Sequence, residues 1–448
     1  MQNNRYFCPY VIKYHTVMKK THLITILALI ALLVSACEKS PEGPSNEEKW
    51  NPTEEELFAE DYFTKYTDPV SGVVSYWFRN ERLGLYNTQS TYFNCNSVTN
   101  DERFCYFFIS TKEKLGQLPS ERSARIFDFK ERKLYSFTGN DGCYPYLDAE
   151  EDVLYYYVMN AKKGNVRDGG RFYKKDLLNA PRTTVQLAEL PKDIAPTGSY
   201  VNRALSHITL TQDKRKTFID AWVGGTFIQG LLDIYTGEWT EWSRNTEVHL
   251  THGQINPKRD DEALLSIDVW TDSNGEEHPI INDPDGTYPR MQLMKPDGTR
   301  TTIKPGATNY ASHEMWHQDG DHVYWCSNGV NIRNIRTGEY KYLYNQRATH
   351  CNISKDMKYV TFDNDHPDYY RGGRWKVSFL NLETGKVVDI ITERPAITTK
   401  DKPSRIHPDP HPHFVCNGKY IVCTAADQDG YLRWSITPVD QLIKMTSK

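Results

Sequence analysis

One repeated unit, more than any other feature, restricts what this 448-residue chain can fold into. A polar residue, usually histidine, stands before a short apolar stretch; a turn of Asp, Asn or Gly follows; then comes an alternating or apolar run of β-type residues. Residues 312–325, SHEMWHQDGDHVYW, carry the pattern most plainly, and similar units start near Asn94, Cys143, His207, His252, His350 and His411. In most units a second hairpin follows, as in DIYTGEW at 233–239, NIRTGEY at 334–340 and NLETGKV at 381–387. The glycine after the threonine fits a tight turn that needs positive φ. Each unit is therefore about four strands. Seven such units, spaced near or above the blade period of roughly 40–50 residues, predict an all-β chain: a seven-bladed β-propeller over residues 61–448. A pair of β-sandwiches is the competing layout, and the periodic four-strand units count against it.

Composition agrees. Aromatic residues make up 12% of the chain, with 29 Tyr and 10 Trp, an enrichment typical of strands. No helical periodicity of useful length follows residue 37. A net charge of −4 gives no electrostatic case for binding nucleic acid.

Five units place histidine at the same point: His207, His252, His313, His350 and His411. In a propeller the innermost strand of each blade starts at one rim of the central channel, so residues just before those strands are expected to face a common funnel. His411 is followed by Pro412 and His413. Side chains two apart on an extended chain point the same way. His411 and His413 are thus expected to reach one ion, with His313 across the channel. Such ligation suits a divalent transition metal such as Mn, Fe, Ni or Zn. The same run also reads as a rigid loop whose rings bond only backbone. Tyr144, Tyr146, Trp222 and Tyr310, near unit starts, fit sugar stacking or blade core. The loop at 363–374, with Arg371 and Arg374, reads as an insertion near the funnel, either solvated or binding a carboxylate.

Residues 18–37, MKKTHLITILALIALLVSAC, have the layout of an export signal: lysines, then an apolar run too short for a comfortable membrane span. The run ends Val34-Ser35-Ala36-Cys37, which resembles a bacterial lipobox. That implies a signal peptide at 1–36 with Met18 as its start, lipidation of Cys37, and a lipoprotein of the outer membrane, on the periplasmic face or the cell surface. Residues 37–60, rich at first in Glu, Pro and Ser, read as a tether. Beyond Cys37 stand seven cysteines, Cys95, Cys105, Cys143, Cys326, Cys351, Cys416 and Cys423. They lack CxxC spacing, an odd number cannot all pair, and small buried core residues are the expectation.

The phrases LTHGQINP, SHEMWHQDG and HPHF, in this order and each at a unit start, resemble the oligogalacturonate lyase family. The resemblance covers about residues 70 to 435 and is strongest from His252 onward. It implies a seven-bladed propeller that holds a manganese-type ion in its funnel and cleaves short uronate chains, as in pectin degradation, by β-elimination. It also implies that His313, His411 and His413 are metal ligands. His252 would be the catalytic or supporting residue, with Gln254 beside it, and His207, His350 and Arg203 would meet substrate. For His207 and His350, a structural role tying blade to blade stands equally open.

Two positions depart from the family. Its glutamine ligand, three residues before the His-Pro-His run, is Pro408 here, with His407 and Asp409 as possible substitutes. Its base, an arginine before His252, has no counterpart in residues 225–237; Arg203, Arg215 and Arg244 are the alternatives. The expected function is therefore metal-dependent cleavage of an acidic oligosaccharide at a membrane. Two rivals are a non-catalytic glycan-binding lipoprotein on the same scaffold and a propeller that scaffolds envelope proteins.

Overall fold

The computed structural model describes residues 50–85, 87–110, 123–136, 145–178, 184–271, 277–279, 290–304, 311–364, 375–394 and 409–447. Met18, Cys37, Cys143, Tyr144, Tyr310, Arg371, Arg374, His407 and Pro408 lie outside the described residues.

The chain from residue 51 onward forms seven small antiparallel sheets in a ring, a seven-bladed β-propeller. Blade 1 comprises β3 (Asn87–Gln89), β4 (Phe104–Ser110), β5 (Ser123–Asp128) and β6 (Lys133–Ser136). Blade 2 comprises β7 (Tyr146–Asp148), β8 (Val153–Met159), β9 (Gly170–Asp176) and β10 (Thr184–Glu189). Blade 3 runs β11 (Val201–Arg203), β12 (Lys216–Val223), β13 (Thr226–Asp233) and β14 (Trp239–Asn245). Blade 4 is β15 (Val248–Asn256), β16 (Arg259–Thr271), β18 (Met291–Met294) and β19 (Arg300–Thr302), with β17 (Glu277–Pro279) paired on β16. Blade 5 is β20 (Ser312–Trp316), β21 (His322–Cys326), β22 (Val330–Asn334) and β23 (Tyr340–Tyr344). Blade 6 is β24 (Cys351–Ile353), β25 (Tyr359–Asn364), β26 (Trp375–Asn381) and β27 (Lys386–Arg394).

The seventh blade closes the ring. Its inner strands β28 (His413–Val415), β29 (Tyr420–Ala426) and β30 (Leu432–Pro438) come from the C-terminus, and its outer strands β1 (Phe63–Thr67) and β2 (Val74–Phe78) from the other end of the chain. Tyr76 pairs with Ile436 and Trp77 with Ser435 across that join.

The expected Thr-Gly hairpins join the third and fourth strands of blades 3, 5 and 6, and local chemistry explains them. Asp233 Oδ1 accepts the amides of Tyr235 and Thr236 at 2.8 and 2.9 Å, and Gly237 takes φ +78°. Asn334 and Gly338 repeat the device, as do Asn381 and Gly385. Each is an Asx turn closed by a left-handed glycine. Apolar faces then pack blade on blade; Phe218 and Leu231 of blade 3, for example, meet Leu250, Ala263 and Leu265 of blade 4.

Two expectations differ. Packing begins before residue 61: Leu57 and Phe58 are buried, and Phe58 stacks on Tyr76 with centroids 4.4 Å apart. There is also a terminal helix, α1 (Val439–Thr446). Its buried Val439, Leu442 and Thr446 share one face, but eight residues are too few to mark a helix in the sequence; Gln441 also holds it, its side-chain amide bonding both the N–H and C=O of Val74. The six described cysteines beyond Cys37 are buried, as expected.

Candidate functional site

The five recurring histidines converge at the channel. The ring of His350 lies 4.2 Å from that of His313 and 4.4 Å from that of His411, and His207 lies 5.8 Å from His252. Blade 1 fills the space between them with aromatics from the loop after β3. Tyr92 stacks on His207 at 5.5 Å and meets His411 edge-on at 4.7 Å, while Phe93 packs on His313, His350 and His411.

The backbone aims these rings in an unusual way. His252, His313 and His411 all take positive φ, at +53°, +56° and +47°. A left-handed conformation costs roughly 1–2 kcal/mol for a residue with a Cβ, and such outliers gather at functional sites. Strand register also slips between Thr251 and Gln254 and between Ser312 and Met315. So His252 and His313 sit in bulges within their strands, which turn the side chain out of the alternating pattern. The expectation was that they would precede the strands; only His350 and His411 do.

Buried aspartates on second strands fasten these turns. Asp220 on β12 accepts the Ser206 amide at 2.6 Å, the Ser206 hydroxyl at 2.5 Å and the Gly253 amide of the next blade at 3.2 Å. Asp363 on β25 does the same for blades 6 and 7, accepting the amides of His350 at 2.9 Å and His411 at 3.1 Å. Gly253 is required at its position, because a Cβ there would stand 2.7 Å from the Phe218 ring.

One cluster has the chemistry of a metal site. Donor atoms of His350, Asp409 and His411 all lie within 4.8 Å of one another. His350 Nδ1 is 3.0 Å from Asp363 Oδ2, so that nitrogen carries the proton and donates it, leaving the Nε2 lone pair on the side of Asp409 and His411. A carboxylate behind an imidazole is the usual support for a ligating histidine. Asp409, one of the two substitutes considered for the absent glutamine, has its carboxylate 3.7 Å from His411 Nε2 and 3.9 Å from His350 Nε2. Two imidazoles and a carboxylate fit a divalent transition ion.

Of the three expected ligands, this cluster contains His411. His413 is not in the cluster: its Nδ1 donates to the His411 carbonyl at 3.0 Å, and its Nε2 stands 3.0 Å from Ser97 Oγ. Side chains two apart point the same way only on an extended chain, and the left-handed His411 breaks that alternation. Burial pulls the His413 pKa down to about 4, against the bond to His411. His313 borders the cluster, with Nδ1 3.2 Å from Ser312 Oγ. Burial, followed by the charges of His350, Arg290 and His252, holds it well below the ordinary histidine range.

A second group lines the wall between blades 4 and 5. His252 is about one-third exposed, and its Nε2 lies 3.6 Å from Asp268 Oδ2. Asp268 also accepts from Thr251 Oγ1 at 2.9 Å and Arg290 Nη1 at 2.5 Å. Burial works against its ionisation, but the bond from His252 and the Arg290 charge hold its carboxyl well below the usual range. Arg290 also reaches Glu314 at 2.8 Å, so Glu314 holds that guanidinium in place.

The structure separates the three arginines. Arg215 is paired with Asp233 at 3.0 Å, and Arg244 with Glu241 at 2.6 Å on outer strand β14. Arg203, on innermost strand β11, lies 3.9 Å from Asp220, and its charge helps depress His207. Gln254 is not at the histidine cluster. Its Nε2 donates to the Glu314 carbonyl at 2.9 Å, tying blade 4 to blade 5, and it lines a cavity of about 430 Å³ with later residues of the inner strands, at the other mouth of the channel.

Sequence reading missed Tyr92, Asp220, Asp268, Arg290 and Asp363. For the aspartates a signal exists: an acid recurs in the apolar second strand, in FIDAW, SIDVW and TFDN.

No protein-family model matches the chain, and no curated protein matches it in sequence. Solved structures do match. An oligogalacturonate lyase in complex with manganese is 18% identical with a TM-score of 0.60, and the match covers 84% of this chain and 96% of that one. An oligogalacturonate lyase from Vibrio parahaemolyticus is 16% identical with a TM-score of 0.61 over the same shares. At that identity the likeness establishes a shared fold: this chain is a propeller of the architecture those lyases have.

Proposed function

We propose that this protein is a metal-dependent lyase that cleaves short uronate oligosaccharides by β-elimination. The carrying observation is the cluster of His350, Asp409 and His411 beneath the funnel, backed by Asp363. These three residues would hold the ion, with His313 beside them, and manganese is the choice the fold likeness favours. A bound divalent ion supplies Lewis acidity toward the uronate carboxylate.

The chain's own residues supply the rest. The proton next to a uronate carboxylate is weakly acidic, and its removal needs a base of matched pKa at the funnel wall. His252 has that position: partly exposed, with Asp268 at its Nε2 to orient the ring and stabilise the imidazolium formed. Arg203 would pair with a substrate carboxylate, and Tyr92 and Phe93 keep water from the underside of the histidines. Lipidation at Cys37 would hold this activity at the outer membrane.

The test is the mass of the products from a galacturonate trimer. Elimination yields a fragment one water lighter than hydrolysis yields; products of hydrolytic mass, or intact trimer, would overturn the reading.

A further inference from the structure

From the funnel rim over blades 2 and 3, we infer a binding track for further carboxylates of a longer acidic chain. This rests on the funnel being a site for acidic oligosaccharides, and adds where a substrate longer than the cleaved pair would lie.

Inner strands run from the histidine mouth toward the opposite one, so residues that precede the histidines stand at the histidine rim. Tyr200 precedes β11 there. The loop between β8 and β9 joins it: Arg167 bridges Tyr200 in parallel register, with its amide donating to the Ser199 carbonyl and its carbonyl accepting from Val201. This seam carries cations on an aromatic platform. Lys162 Nζ lies 5.2 Å and the Arg167 guanidinium 5.7 Å from the Tyr200 ring centre. Arg203 follows three residues later, about 10 Å along an extended strand.

Among the described residues these cations lack matched acids. Nearby Asp168 is with Lys192 at 3.7 Å, and Glu189 with Arg171 at 2.7 Å. Among the described residues no carboxylate pairs with Lys162 or Arg167, and the one beside Arg203 stands at 3.9 Å. The Nε of Arg167 and the Nε and Nη2 of Arg203 are buried without a hydrogen-bond acceptor. An unmatched guanidinium held in place is costly unless something anionic completes it. On a protein whose net charge is −4, a row of unanswered cations from funnel to rim fits a polymer with regularly spaced carboxylates.

The track is tested by calorimetry on the full chain, wild type against Lys162→Ala, Arg167→Ala and the double variant. The ligands are a galacturonate dimer, a tetramer, and the tetramer with its carboxyls methyl-esterified. Wild type should prefer the acidic tetramer over both others. The double variant should lose about tenfold in affinity for that tetramer, the scale of a charge-assisted contact, with the ester affected less than twofold. Lys162 is exposed, so its single variant folds whatever happens to Arg167. Unaltered tetramer affinity in the double variant, or equal losses for dimer and tetramer, overturns the track. Absence of uronate binding by wild type overturns the lyase reading itself.

Discussion

His411 and His413 stand two residues apart with separate tasks. His411 faces His350 and Asp409, whereas His413 is locked by the His411 carbonyl and Ser97. Replacing His411 with alanine should remove bound divalent metal from the purified protein. His413→Ala should leave metal content near wild type and lower stability by roughly 1–3 kcal/mol, the cost of stranding buried polar partners. Elemental analysis and urea unfolding of both variants check this; loss of metal in His413→Ala with stability intact would contradict it. His207 sets a pH dependence. Burial above all, with His252 and Arg203 adding, pulls its pKa from 6.5 to about 3. The unfolded chain therefore binds a proton that the folded one refuses. Stability from the neutral ring is complete above about pH 6.5 and is lost as pH falls toward 3. Between pH 7 and pH 5, His207→Gln should lose less stability than wild type by roughly 2 kcal/mol; parallel losses would contradict the assignment.

At the scale of elements, the bulge is the device that makes a site out of a strand. An ordinary strand at 252 would alternate its side chains between the two blade faces; the register slip and positive φ send His252 into the channel instead. Glycine tolerates that φ and alanine does not. His252→Gly should therefore be more stable than His252→Ala by about 1 kcal/mol, the reverse of the usual order in a strand. Thermal unfolding of the two variants decides, and an alanine variant as stable as the glycine one would remove the strain argument. Hairpins were legible in the sequence because Asp233, Asn334 and Asn381 set their turns by contacts within three residues. Bulges were not, because a register slip exists only against a partner strand. The aspartates at 220 and 363 were visible as residues, but their purpose depends on amides of the next blade. That also explains His413: its identity was legible, and its direction turned on the backbone angle of His411.

For the whole molecule, ring closure converts a linear repeat into a funnel. The join of β2 to β30 and the grip of Gln441 on Val74 close the circle. Closure brings residues as distant as Tyr92, His207 and His411 into ring contact. The repeat makes both the architecture and the convergence of histidines readable in the sequence. The ligand set, the Arg290–Asp268 support of His252 and the basic rim arise from contacts between blades, which a repeat pattern does not encode. On the proposed function the funnel eliminates across a uronate linkage with the aid of a divalent ion. Its most direct test is ultraviolet absorbance of a galacturonate trimer incubated with the protein, with manganese supplied and then with a chelator in excess. Absorbance should rise from the new double bond conjugated to a carboxylate, and the rise should be abolished by the chelator and by His411→Ala. A flat trace from metal-loaded protein, or a rise indifferent to the chelator, would contradict it.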